Sequence, residues 1–215
     1  MCHRMSPLLL RELQEGLKYM QVTGRAHVPR RDPSVVVPDA YPGSQVPLFV
    51  PSEDGSLSAA QLTWGFPSPA QGGRTVFNTR IETALRQATN GRGMWAEPIE
   101  HGRCIVPVRA FFEWWTQPGA PRTSADGDAP GRRGRRPQVA FRLAGHRIFL
   151  IACVRQGERF SVVTTEPNAS VASVHNRMPL VLGPGESSVW LGGDWPSLAD
   201  RSATRLRSEE RRVGK

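Results

Sequence analysis

Apolar residues at Leu9, Leu13, Leu17 and Met20 recur at helical spacing behind Ser6-Pro7, a pair that reads as an N-cap followed by a first-turn proline. The spacing predicts a helix over residues 7–20 with its stripe in the core. Beyond it the period shortens. Runs rich in Val, Ile, Phe, Thr and Trp at 35–37, 46–50, 61–64, 75–79, 103–108, 111–115, 138–143, 147–154 and 160–165 are separated by Pro, Gly, Asp and Ser, and read as strands. Residues 82–88 and 186–191 read as short helices. Strands and helices do not alternate in βαβ fashion, and no internal repeat is visible. The expected class is therefore α+β: a single domain with a mainly antiparallel, barrel-like sheet flanked by short helices.

At 215 residues the chain is long enough for one domain with a sizeable core. Its three cysteines, Cys2, Cys104 and Cys153, are odd in number and contain no C-x-x-C pair. That argues against a disulfide framework or a zinc site and for a reducing, cytoplasmic setting. Neither a signal peptide nor a run of membrane-spanning length is expected. The net charge of +9 is concentrated in two segments. Residues 119–137 hold five Arg against two Asp in a Gly/Pro-rich context, and residues 201–215 hold six basic against two acidic residues. The first is expected to be a flexible insertion in a domain spanning 1–195; residues 196–215 are expected to be a disordered or non-native basic tail. The high isoelectric point is then a poor guide to the folded surface.

Position 2 carries the most distinctive chemistry. Once Met1 is removed, Cys2 presents an α-amine and a thiol on adjacent carbons, a 1,2-aminothiol that closes on an aldehyde as a thiazolidine. Typical pKa values of about 8.5 and about 7.7 to 8.0 leave usable fractions of both nucleophiles near neutrality. Glu113, between Phe111-Phe112 and Trp114-Trp115, is compatible with two readings: a desolvated general acid and base, or the polar face of an alternating strand. His175 could move a proton near neutral pH or serve as a hydrogen-bonded loop residue. Asn78 could orient the reacting amine or end a strand. Arg80 and Arg177 could hold phosphates or pair with an acid such as Glu82. Cys104 and Cys153 lie in apolar runs and read as small buried hydrophobes. Trp64, Trp114 and Trp115 could stack bases, with at least one of them in the core.

Taken in order, Cys2-His3-Arg4, Trp64-Gly65-Phe66-Pro67, Phe77-Asn78-Thr79-Arg80-Ile81-Glu82-Thr83, Arg103-Cys104-Ile105-Val106-Pro107 with Phe111-Phe112-Glu113-Trp114, and Thr164-Thr165-Glu166-Pro167-Asn168 with His175-Asn176-Arg177-Met178-Pro179 resemble the SOS response-associated peptidase (SRAP) family. The resemblance spans roughly residues 64–190 and the first four. It implies a sensor that binds single-stranded DNA and cross-links ring-opened abasic sites through Cys2, with possible lyase and self-processing peptidase activity. It implies catalytic roles for Cys2, Asn78, Glu113 and His175, and DNA contacts from Arg4, Trp64, Arg80 and Arg177. No cofactor or metal is implied, and the expected form is a monomeric, nucleoid-associated cytoplasmic protein. One residue departs from the pattern: His3 stands where the family usually has glycine, which would crowd the site if that position needs a glycine backbone. Two other classes stay open, a cysteine peptidase with His175 as base to Cys2, and a non-catalytic single-stranded DNA-binding module.

Overall fold

The structure, a computed structural model, describes residues 2–23, 37–68, 75–116 and 137–211. In chain order the strands are β1 (Arg4–Pro7), β2 (Gln45–Pro51), β3 (Leu57–Trp64), β4 (Phe66–Pro67), β5 (Thr75–Val76), β6 (Asn78–Arg80), β7 (Arg103–Trp114), β8 (Gln138–Leu143), β9 (Phe149–Gln156), β10 (Arg159–Thr165), β11 (Met178–Pro179), β12 (Val181–Leu182) and β13 (Leu206–Arg211). The helices are α1 (Leu10–Thr23), α2 (Ile81–Asn90), α3 (Ala96–His101) and α4 (Glu186–Leu191), with a 3₁₀ turn at Trp195–Ala199.

The main sheet runs β12-β9-β10-β3-β2-β7-β8-β13, and a further β9–β7 pairing closes β9, β10, β3, β2 and β7 into a five-stranded barrel. Among the described residues only the β10–β3 and β10–β6 contacts are parallel; the other pairings are antiparallel. The α+β, barrel-like class expected from the patterning is the one observed. Strand β7 is buried along most of its length because each face meets a different core. Cys104, Val106, Val108 and Phe111 pack with Val46, Leu48, Leu62, Trp64, Ile151 and Phe160 in one cluster. On the other face Ile105 joins Phe66, Ile81, Trp95, Ile99, Trp190, Trp195 and Leu198 under α2, α3 and α4. Gly65 allows β3 to turn into β4. Its φ is +115°, and a Cβ there would come within 2.3 Å of the Thr75 methyl.

Several boundaries differ from the sequence expectation. Ser6 and Pro7 do not start the first helix; they end β1, where they face Ala110 and Val108 across a register shift in β7. The helix begins at Leu10, with the Glu12 carboxylate accepting the Leu9 N–H at 2.8 Å, the reaching-back half of a capping box. Only Leu13 of its stripe is fully in the core, and Met20 is 37% exposed. The two runs at 103–108 and 111–115 form one strand, because Arg109 between them is held by the Pro7 carbonyl and Glu12 rather than breaking the ladder. Residues 206–211, expected to lie beyond the domain, pair with β8 in register from Leu206↔Leu143 to Arg211↔Gln138. With Leu206 as its single apolar residue, the Leu-Arg-Ser-Glu-Glu-Arg segment has no alternation to announce an edge strand. The expected strand at 35–37 and the expected insertion at 119–137 lie largely outside the described residues.

Candidate functional site

Strand β1 carries Cys2 to its place. Pairing of Arg4 with Phe112 and Met5 with Phe111 continues toward Glu113 and Trp114, so the residues ahead of Arg4 lie beside the end of β7. Cys2 is fully buried, its thiol 3.7 Å from the Arg4 carbonyl. Desolvation pushes the thiol far above its ordinary pKa, and the charge of Glu113 pushes it the same way. The Asn78 amide donates to the Cys2 carbonyl at 2.9 Å. Asn78 opens β6, aligned in parallel with Val162 of β10, and its Oδ1 is buried with no hydrogen-bond partner among the described residues. Beside Cys2, the His3 ring stacks on Trp114 with centroids 5.8 Å apart and planes 9° apart. The side chain at position 3 is thus accommodated by an aromatic neighbour.

Glu113 is fully buried, and desolvation raises its pKa from 4.5 to about 7. His175 Nε2 lies 3.8 Å from Glu113 Oε2. Burial lowers the imidazole from 6.5 to about 4. The proximity resembles a salt bridge, yet both shifts oppose charge, so near neutrality this is a neutral imidazole facing a carboxyl poised between its two forms. His175 Nδ1 lies 3.0 Å from the Arg177 backbone N–H and 3.1 Å from the Arg177 carbonyl. The N–H can only donate and the carbonyl can only accept; the shorter contact, from the N–H, makes Nδ1 the acceptor and places the proton on Nε2, toward Glu113. His175 sits at the end of a turn in which its N–H bonds the Val171 carbonyl, and the turn is anchored by buried Asn168. Asn168 donates to the Thr204 carbonyl at 2.5 Å and accepts from Ser170 N–H at 3.0 Å.

The four residues expected to touch DNA do not share one environment. Trp64 is a core residue, 0% exposed, its Nε1–H bonded to the Phe77 carbonyl at 2.8 Å and its ring packed on Phe160 and Phe77. Base stacking by Trp64 is corrected accordingly: neither ring face is open. Arg177 is also buried, with its fork on Glu82 at 2.8 and 2.9 Å and on the Thr164 carbonyl at 2.8 Å. Arg4 gives its donors to Asp39 and Gln138 and lies 4.3 Å from the Phe112 ring centroid. Arg80 alone of the four is exposed, at the junction of β6 and α2, with no ion pair among the described residues. No group of three or more His, Cys, Asp or Glu side chains suited to a metal occurs among the described residues, and no described helix is long and apolar enough to cross a membrane.

The model of the SOS response associated peptidase (SRAP) family matches residues 1–213. The chain belongs to the SRAP family. Its curated relatives include the abasic site processing proteins YoaM of Bacillus subtilis, 26% identical over 155 residues, and YedK of Escherichia coli, 26% identical over 157. These alignments cover 69% and 70% of this chain but 63% and 62% of the relatives, so the chain spans less than two thirds of their length. Among solved structures, a phage-related protein from Bordetella bronchiseptica superposes with a TM-score of 0.67 at 18% identity, covering 98% of this chain and 94% of the other. A protein from Bacteroides thetaiotaomicron gives 0.64 at 18% identity, covering 99% and 93%. Both share the fold.

Within this SRAP chain, residues that sequence reading did not assign to the site hold its parts in place. Glu82 and Thr164 fix Arg177, Asn168 fixes the His175 turn, and Asp39 fixes Arg4. Glu82 carried a signal, four residues after Asn78 in the same motif. Asp39 carried none, because its partners are more than thirty residues away in the chain.

Proposed function

We propose that the protein captures abasic sites in single-stranded DNA by forming a thiazolidine between Cys2 and the ring-opened sugar, after Met1 has been removed. The observation that carries this reading is the convergence of Cys2, Asn78, Glu113 and the His175 imidazole at one end of the barrel. The names of the curated relatives agree with the substrate class.

In the chain with Met1 attached, the Cys2 nitrogen is an amide; its removal exposes the amine. That amine adds to the aldehyde carbon, forming the C–N bond, and the carbinolamine oxygen leaves as water with a proton from a neighbouring acid. Thiol addition to the imine carbon then forms the C–S bond, and the thiol proton passes by way of a base to the ring nitrogen. The net change is the loss of one water. Glu113, with a pKa of about 7, holds both forms needed for these two transfers. Asn78 fixes the Cys2 backbone through its carbonyl, and neutral His175 faces Glu113 from the other side. A peptidase that relied on a Cys2 thiolate activated by His175 gains less support: the thiol is pushed toward its neutral form, and the imidazole faces Glu113.

Intact-mass measurement before and after incubation with an abasic single strand tests maturation and capture together. The expected result is protein lacking Met1, and a denaturant-resistant adduct equal to protein plus DNA less one water. Cys2→Ala should form none. An equally abundant adduct from Cys2→Ala would overturn the mechanism.

A further inference from the structure

Arg177 sits where three parts of the site meet. Its guanidinium is clamped by Glu82, in the first turn of α2, with two nearly equal bonds of 2.8 and 2.9 Å. The same group donates to the Thr164 carbonyl in β10 at 2.8 Å. Meanwhile its backbone N–H donates to His175 Nδ1 at 3.0 Å. Planar bidentate pairing fixes the direction of a guanidinium as well as its position, because both N–H vectors must align with one carboxylate. Arg177 is 8% exposed, so a displaced side chain would leave a buried charge without its counter-ion. Glu82 is also only four residues beyond Asn78, on the strand-to-helix junction that holds the Asn78 amide against Cys2.

We infer that Glu82 is a positioning residue: through Arg177 it fixes the His175 ring with the proton on Nε2 facing Glu113, tying that tautomer to the junction that orients Cys2. Glu82 touches neither the reacting atoms nor, in this geometry, His175 itself. The device follows a general pattern in which a group behind an imidazole decides which ring nitrogen carries the proton. Its catalytic consequence rests on the abasic-site reading above; its structural core does not.

The test is nitrogen-15 NMR of ring-labelled His175 in the full chain, together with the rate of adduct formation on an abasic single strand. The wild-type protein should show the Nε2–H tautomer, and an Nδ1–H tautomer there would overturn the inference without any variant. In Glu82→Ala the His175 signals should shift toward a mixture of tautomers while adduct formation slows about tenfold, the size typical of lost outer-shell support. Glu82→Gln keeps one acceptor for Arg177 and should recover most of both effects. Unchanged His175 signals in a folded Glu82 variant would sink the proposal, whatever the adduct rate. If the wild type forms no adduct while the signals behave as expected, the abasic-site reading fails and the positioning role stands.

Discussion

The two cores of this protein are built on opposite principles. The cluster under α2, α3 and α4 is made of buried apolar residues, among them Ile81, Trp95, Ile99, Trp190 and Trp195. The cluster that contains Cys2 borders Glu113 and His175, polar groups taken out of water beside the thiol and Val174. In the first, removal from water is itself the stabilising term. In the second, burial opposes the charged forms of Glu113 and His175, and the Arg177 backbone N–H holds the neutral imidazole in place. A polar cluster of this kind contributes less to holding the barrel shut than to setting proton affinities.

The largest effect that could break this contrast comes from Glu113→Gln. Adduct formation should fall about 10²- to 10⁴-fold, the range for loss of a general acid and base, with the barrel still folded. Its pH profile of stability should also change in a defined direction. A folded pKa raised from 4.5 to about 7 gives Glu113 a contribution that is complete below 4.5 and is lost as pH rises toward 7. His175, lowered from 6.5 to about 4, contributes fully above 6.5 and loses that contribution as pH falls toward 4. The slopes oppose each other between about 4.5 and 6.5 in the native protein. Glu113→Gln leaves the histidine slope alone, so its melting temperature should drop more steeply than wild type on acidification. Parallel profiles for the two proteins would remove the claim that the buried carboxyl is protonated in this range.

Trp190→Ala addresses the apolar core. Trp190 packs edge-on against Trp195 at 6.2 Å and donates Nε1–H to the Cys104 carbonyl at 3.0 Å. Its truncation should cost about 3 to 5 kcal/mol, measured by denaturant unfolding, while the adduct rate of the remaining folded protein stays near wild type at low temperature. A slowed adduct with unchanged stability would show that the two cores are coupled in function. The smallest effect is expected at the seam between them. Arg80→Ala should leave folding intact and weaken single-stranded DNA binding, reducing the slope of log K against log salt by about 0.7. A salt dependence identical to wild type would exclude Arg80 from the phosphate contacts.

Much of the architecture was legible because periodicity reports local geometry. The β2, β3, β8, β9 and β10 segments announce themselves by β-branched and aromatic residues between turn formers, and α2 and α4 by their helical spacing. The Ser6-Pro7 pair misled because its local preference for a helix start is overridden by pairing with Ala110 and Val108, a contact formed across about a hundred residues. The two-residue strands β11 and β12 are too short to show a period and β13 has a single apolar residue, so partners elsewhere in the sheet define all three. Among the site residues, Cys2, Asn78, Glu113 and His175 stood out by chemical type within motifs. The DNA-contact set was less legible: an arginine or tryptophan has the same letter whether its polar end faces solvent or an internal partner. Trp64 and Arg177 turned inward, and Arg80 did not.

Sequence by itself determined the α+β class, the family and the identity of the groups able to react, because these depend on composition, spacing and functional-group chemistry. Only the tertiary structure decided that the Cys2 thiol is buried, that Glu113 carries a pKa of about 7, that His3 rests on Trp114, and that Arg177 serves Glu82 and His175. Those properties come from desolvation and from partners far apart in the chain, and neither exists until the barrel closes.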